Sequence, residues 1–161
     1  MNLENKIVVV TGAGSGIGRA LGVRFKAEGA KHVVSVDINP KSADQTADLI
    51  GDRSFEADVS SENDVVRLIK MTEEEVGPID LFCSNAGILI AGGMEVPNED
   101  WQRIWDINVM AHVWAARHLV PRMTELVVDG PRLDRVDRGI CQVRGLLRGL
   151  QLGEPVLDLV E

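Results

Sequence analysis

Tyrosine is absent from this chain of 161 residues, and phenylalanine and tryptophan occur only three times each. A phenol can therefore act as neither acid nor base anywhere along it. Lysine stops at Lys70 and serine at Ser84, so the second half of the chain offers neither group. The two cysteines, Cys83 and Cys141, have neither metal-ligand nor redox spacing, and no metal site is expected. Cys83 falls in a predicted buried strand and reads as a small core residue. Basic residues are outnumbered, 17 Lys and Arg against 25 Asp and Glu, for a net charge of −8 and no basic run. That balance excludes a nucleic-acid partner, which would need a basic stripe. No apolar stretch is long enough to span a bilayer, so no membrane partner is expected. Met1 to Lys6 lacks the apolar segment of a signal peptide, which makes a cytoplasmic location the expectation.

A hydrophobic content of 45% suffices for one compact domain. Residues 6–11 are apolar and β-branched, the pattern of a strand buried on both faces. A helix follows from about Ile17 to Glu28, with Ile17, Ala20, Leu21 and Phe25 at helical spacing and Gly29 at its end. His32 to Val36 forms the second strand, ending at Asp37. Pro40 opens a helix over roughly 41–50. Ser54 to Ala57 is a third, short strand, and Ser60 or Ser61 caps a helix that buries Val65, Leu68, Ile69 and Thr72. Ile79 to Ser84 is the fourth strand. After a loop with Gly92, Gly93 and Pro97, a long helix runs from Asn98 or Glu99 to about Met123, with Trp101, Ile104, Trp105, Asn108 and His112 along one face. Strands alternating with helices imply right-handed βαβ crossovers and a doubly wound, Rossmann-like α/β parallel sheet ordered 3-2-1-4, with room for a fifth strand.

The composition changes after Thr124. Residues 125–161 hold no Ser, Thr, Asn, Lys, His, Ala, Met or aromatic residue, whereas the first 124 hold twelve alanines. Thirty-five of those 37 residues are of types whose codons can begin with G or C; Ile140 and Cys141 are the exceptions. Only Gly145 to Leu152 has a helical pattern. Residues 1–124 therefore read as one nucleotide-binding domain and 125–161 as a divergent tail, of the kind produced by a truncated gene or by reading a GC-rich gene out of frame.

The chemistry concentrates at the strand ends. Gly12, Gly16 and Gly18 form a Gly-x-x-x-Gly-x-Gly loop between the first strand and first helix. Such a loop brings backbone N–H groups against a pyrophosphate, and the positive end of the helix favours its charge. Asp37 ends the second strand 19 residues after Gly18, where a carboxylate can accept hydrogen bonds from a ribose and repel a 2′-phosphate. Neither Ser15 nor Ile38 offers a positive charge, so NAD is favoured over NADP. Asp58, followed by Val59, can reach an adenine edge or cap the helix beside Ser60. Asn85-Ala86-Gly87 lies at the carboxyl end of the fourth strand, where ligands of open sheets bind; Asn85 can equally brace neighbouring strands. Asn108, a polar residue mid-helix, calls for a partner whether it is structural or functional.

Together these residues resemble the short-chain dehydrogenase/reductase family. Thr11-Gly12-Ala13-Gly14-Ser15-Gly16-Ile17-Gly18 resembles its cofactor loop, Asp37 its NAD-selecting acid and Asp58-Val59 its adenine contact. Ser84-Asn85-Ala86-Gly87 is similar to its Asn-Asn-Ala-Gly motif with the first Asn replaced. Trp105-Asp106-Ile107-Asn108-Val109 resembles the helix carrying its catalytic Asn. The resemblance covers residues 3–124. It implies a dinucleotide cofactor at Gly12, Ser15, Gly16, Ile17, Gly18, Asp37, Ile38, Asp58, Val59, Asn85, Ala86 and Gly87, a catalytic role for Asn108, and a homo-oligomer contact through the helix at 99–123. It also implies a Ser, a Tyr and a Lys four residues after the Tyr, to move a proton while hydride moves between nicotinamide and carbon. None of the three has a counterpart here, so the expectation is an NAD-binding oxidoreductase-like chain with incomplete catalytic equipment. His112 and His118 are expected to be surface or packing residues. The rival readings are an active dehydrogenase with a substitute acid/base and, on the glycine loop alone, a methyltransferase. A fourth strand left at an apolar edge would make the isolated chain prone to aggregate.

Overall fold

The computed structural model describes residues 2–128 and 139–140, with side chains through Thr124. The strands are β1 (Ile7–Thr11), β2 (His32–Asp37), β3 (Ser54–Glu56), β4 (Leu81–Cys83) and β5 (Gly139–Ile140). The helices are α1 (Gly16–Ala27), α2 (Pro40–Ile50), α3 (Glu62–Glu75), α4 (Asn98–Trp105) and α5 (Ala111–Val128). All strands are parallel, in the order β3-β2-β1-β4-β5. The fifth strand is two residues long and pairs with Leu81 and Phe82. It therefore covers most of the β4 edge that the sequence left open. Gly145 to Leu152 lies outside the described residues.

Alternation along the central strands builds two cores. Val8 and Val10 of β1, with Val33, Leu81 and Cys83, face α1 and α2. Val9, Val34, Val36 and Phe82 face α3 and α5, meeting Val65, Leu68, Ile69, Ala115 and Leu119. The predicted stripe of α3 is buried throughout, and Cys83 is a core residue. Asn39 caps α2, and Ser61 rather than Ser60 caps α3.

Three expectations are corrected. The buried stripe of α1 is Gly18 and Gly22; Ala20 is exposed and Ile17 is 75% exposed, because small residues let the helix lie close on the sheet. Trp101 and Trp105 are likewise exposed, since α4 buries no residue against the described elements. The long helix is not uniform: a π turn over Asp106–Met110 separates α4 from α5.

Candidate functional site

The carboxyl ends of β1 to β4 and the start of α1 enclose a cleft of about 370 Å³, a volume within the range of small-molecule sites. All twelve residues expected at a cofactor line it, from Gly12 to Gly87. β1 delivers the chain into the glycine loop at its carboxyl end, and the loop turns it into α1. Ser15 precedes that helix without a side-chain cap, so the first N–H groups of α1 are left for a ligand. A Cβ on Gly16 would meet nothing within 4 Å, so its backbone faces open space. A Cβ on Gly18 would strike the Gly12 carbonyl and the Asn85 amide. These features suit a pyrophosphate.

Gly14, absent from the sequence-derived glycine set, is also required. A Cβ there would lie 2.7 Å from both Asp37 Oδ2 and Ser42 Cβ. The Gly14 N–H donates to Asp37 Oδ2 at 2.9 Å, and the Asn39 N–H donates to Oδ1 at 3.0 Å. The acid is thus locked at the cleft wall and is not a freely solvated strand-end group. Asp58 serves its local turn: Oδ1 accepts from the Ser60 N–H and hydroxyl at 2.9 and 2.7 Å, while the residue still lines the cleft.

Asn85 braces the sheet, as one of its two readings held: its amide donates to the Thr11 carbonyl at 3.0 Å. The Thr11 hydroxyl accepts from the Asn85 and Ala86 N–H groups and donates to the Cys83 carbonyl. Asn108 is not in the main cleft. It borders a neighbouring depression that shares Asn85 to Ile88 with it. Its amide makes a two-bond pair with one partner, accepting from the Ile88 N–H and donating to the Ile88 carbonyl, both at 2.9 Å. The π turn sets this register, a device frequent at functional sites.

The two histidines are more than packing. His112 Nδ1 lies 2.6 Å from the hydroxyl of Ser84, beside Asn108 in the same depression. Burial pushes its imidazole below the usual 6.5, opposed by a hydrogen bond to the Asn108 backbone. The pair was missed because Ser84 and His112 are 28 residues apart and belong to no shared motif. His118 binds Glu62 at 2.9 Å, and Arg117 binds the same oxygen at 2.7 Å, tying α5 to α3. Hydrogen bonds from His118 and Arg117 lower the Glu62 carboxyl. Five further lining residues were not expected there, Val36, Ala57, Ile88, Ile107 and Arg103, of which Arg103 of α4 is the charged one.

Comparison with known proteins gives a consistent answer. The family described as short chain dehydrogenase matches residues 6–128. The chain is 39% identical over 132 residues to 1-deoxy-11-beta-hydroxypentalenate dehydrogenase of Streptomyces exfoliatus, covering 78% of this chain and 48% of that one. It is 34% identical to meso-2,3-butanediol dehydrogenase of Serratia marcescens, covering 76% and 50%. A crystal structure from Brucella melitensis, titled short-chain dehydrogenase/reductase, glucose/ribitol dehydrogenase, superposes with a TM-score of 0.70 at 32% identity, covering 75% and 53%. The chain thus spans about half the length of the relatives it matches.

Proposed function

The chain belongs to the short chain dehydrogenase family of oxidoreductases, and from that premise we propose that it binds NAD in the cleft but lacks the groups that complete hydride transfer. The observation that carries this reading is the pairing of an uncapped α1 N-terminus beside open Gly16 with the fixed carboxylate of Asp37. The first suits a pyrophosphate; the second suits ribose hydroxyls and disfavours a 2′-phosphate. Ile17 and Ile38, 75% and 61% exposed at the cleft, offer apolar cover to a flat base. Nicotinamide, when bound, supplies the hydride acceptor. The side of the chain that must move the proton is poor: no tyrosine, no lysine after Lys70 and no serine after Ser84. Asn108 spends one donor and one acceptor on Ile88, which fixes its amide against the chain after β4.

A second reading, an active dehydrogenase with a substitute base, draws on the 2.6 Å Ser84–His112 contact. A half-buried imidazole whose pKa is pushed below the usual 6.5 is neutral near pH 7 and can accept a proton. Calorimetric titration with NAD and NADP, alongside NADH formation over a panel of alcohols, separates the readings. The expected result is NAD binding that Asp37→Ala weakens by roughly tenfold or more, as loss of charge-assisted hydrogen bonds does, with no turnover. Robust turnover abolished by His112→Gln would establish the second reading instead. Absence of binding by the folded chain would overturn both.

A further inference from the structure

Arg103 lines the cleft, and it is the single cation among the lining residues, which include the carboxylates Asp37 and Asp58. Its side chain makes no hydrogen bond or ion pair among the described residues, while its backbone carbonyl accepts from the Asp106 N–H. The Asp106 carboxylate, three residues on in the π turn, accepts instead from Gln102 at 2.9 Å. Arg103 also borders a shallow groove with Ser60, the residue that follows the Asp58–Val59 wall. This places it at the β3 end of the cleft, away from the uncapped start of α1 where a pyrophosphate would sit. Ile107, four residues on, lines the same cleft. A guanidinium without a partner among the described residues therefore lines the cleft together with the apolar Ile38, Val59 and Ile107.

We propose that Arg103 is a positioning residue that lays its planar guanidinium over the adenine of the bound dinucleotide, making this site selective for adenine-bearing ligands. This rests on the NAD-binding reading above. The purine presents a flat π face, and a guanidinium stacks on such a face while keeping its edge in water. Neither cleft carboxylate forms an ion pair with it: Asp37 accepts from the Gly14 and Asn39 N–H groups, and Asp58 from Ser60. A ligand that covers Arg103 gains stacking without breaking an existing ion pair.

Calorimetry on the full chain tests this with NAD, NADP, ADP and nicotinamide mononucleotide. Arg103→Ala is expected to weaken NAD and ADP roughly fivefold to thirtyfold, the span of a cation–π contact as it becomes desolvated. Binding of nicotinamide mononucleotide should be unchanged. Arg103→Lys should recover only part of the loss, because an ammonium lacks the planar face. Arg103 is exposed, so both variants should melt like the parent. Full recovery with lysine together with strong salt dependence would overturn stacking in favour of a phosphate contact. NADP binding tighter than NAD, and losing more on Arg103→Ala, would overturn it in favour of a 2′-phosphate contact. Unchanged NAD affinity in Arg103→Ala would overturn it while leaving the NAD-binding reading intact; failure of the parent to bind NAD would overturn both.

Discussion

At the scale of single residues, the cleft is shaped by where a methyl group cannot go. Gly18 packs its Cα against the Gly12 carbonyl and the Asn85 amide, whereas Gly16 opens onto the cleft with φ +51°. The two glycines therefore fail differently. Gly18→Ala must push backbone apart, and an overpacking cost of about 2 kcal/mol is expected in urea unfolding, with NAD binding lost. Gly16→Ala should cost only about 1 kcal/mol, the penalty of a left-handed alanine, yet still weaken binding by crowding the pyrophosphate. Equal destabilisation by the two would contradict this assignment. The sequence marked both positions because a strand, a glycine loop and a helix are contiguous in the chain. It could not mark Gly14, whose constraint comes from Asp37, 23 residues away. Nor could it pair Ser84 with His112 or place Arg103 over the cleft, because those juxtapositions depend on how α4 and α5 return across the sheet.

At the scale of elements, periodicity was informative where a whole helix face is buried and misleading where it is not. Val65, Leu68, Ile69 and Thr72 of α3 follow the helical stripe because β-strands lie beneath all of them. The stripe read for α1 failed at Ile17 and Ala20, since close contact there is made by Gly18 and Gly22, which hydrophobicity does not score. The π turn at Asp106–Met110 adds a residue to one turn and cannot be seen in a pattern of period 3.6. Among inter-element ties, Asp52 joins three: it accepts from Lys26 Nζ of α1 at 2.6 Å and from the Val33 N–H of β2 at 2.9 Å, and contacts His32 Nδ1 at 3.2 Å. Burial alone would raise its carboxyl, but Lys26, Val33 and His32 together hold it below the usual 3.8. A carboxyl depressed on folding contributes stability above its unfolded value and loses it as pH falls through the folded one. Melting temperature should therefore drop as pH falls below about 3.8. Asp52→Asn should flatten that drop while costing on the order of 2 kcal/mol at neutral pH, through the lost charge-assisted bonds. An unchanged acid slope in the variant would show that Asp52 is not the group responsible.

At the scale of the whole molecule, the chain spans about half the length of its relatives, and the family match ends at residue 128, just after the composition shifts. We propose that the coding sequence is truncated or shifts frame after codon 124, which would account for that boundary. Sequencing should then reveal, in another frame, a fifth strand, a serine and Tyr-x-x-x-Lys; a shifted frame with none of these would remove the idea. Strand order and the twelve glycine-loop and strand-end residues of the cleft were determined by the sequence itself, because buried parallel strands, glycine turns and strand-end acids are local patterns. The tertiary structure alone decided which of those residues are spent on the scaffold. Asn85 and Asn108 bond backbone partners and Asp58 its own turn, Asp37 is held in place by the glycine loop while still facing the cleft, and the Arg103 side chain has no partner among the described residues. Hydrogen-bond partners of buried polar groups are chosen by three-dimensional proximity, which a linear pattern of residue types does not encode.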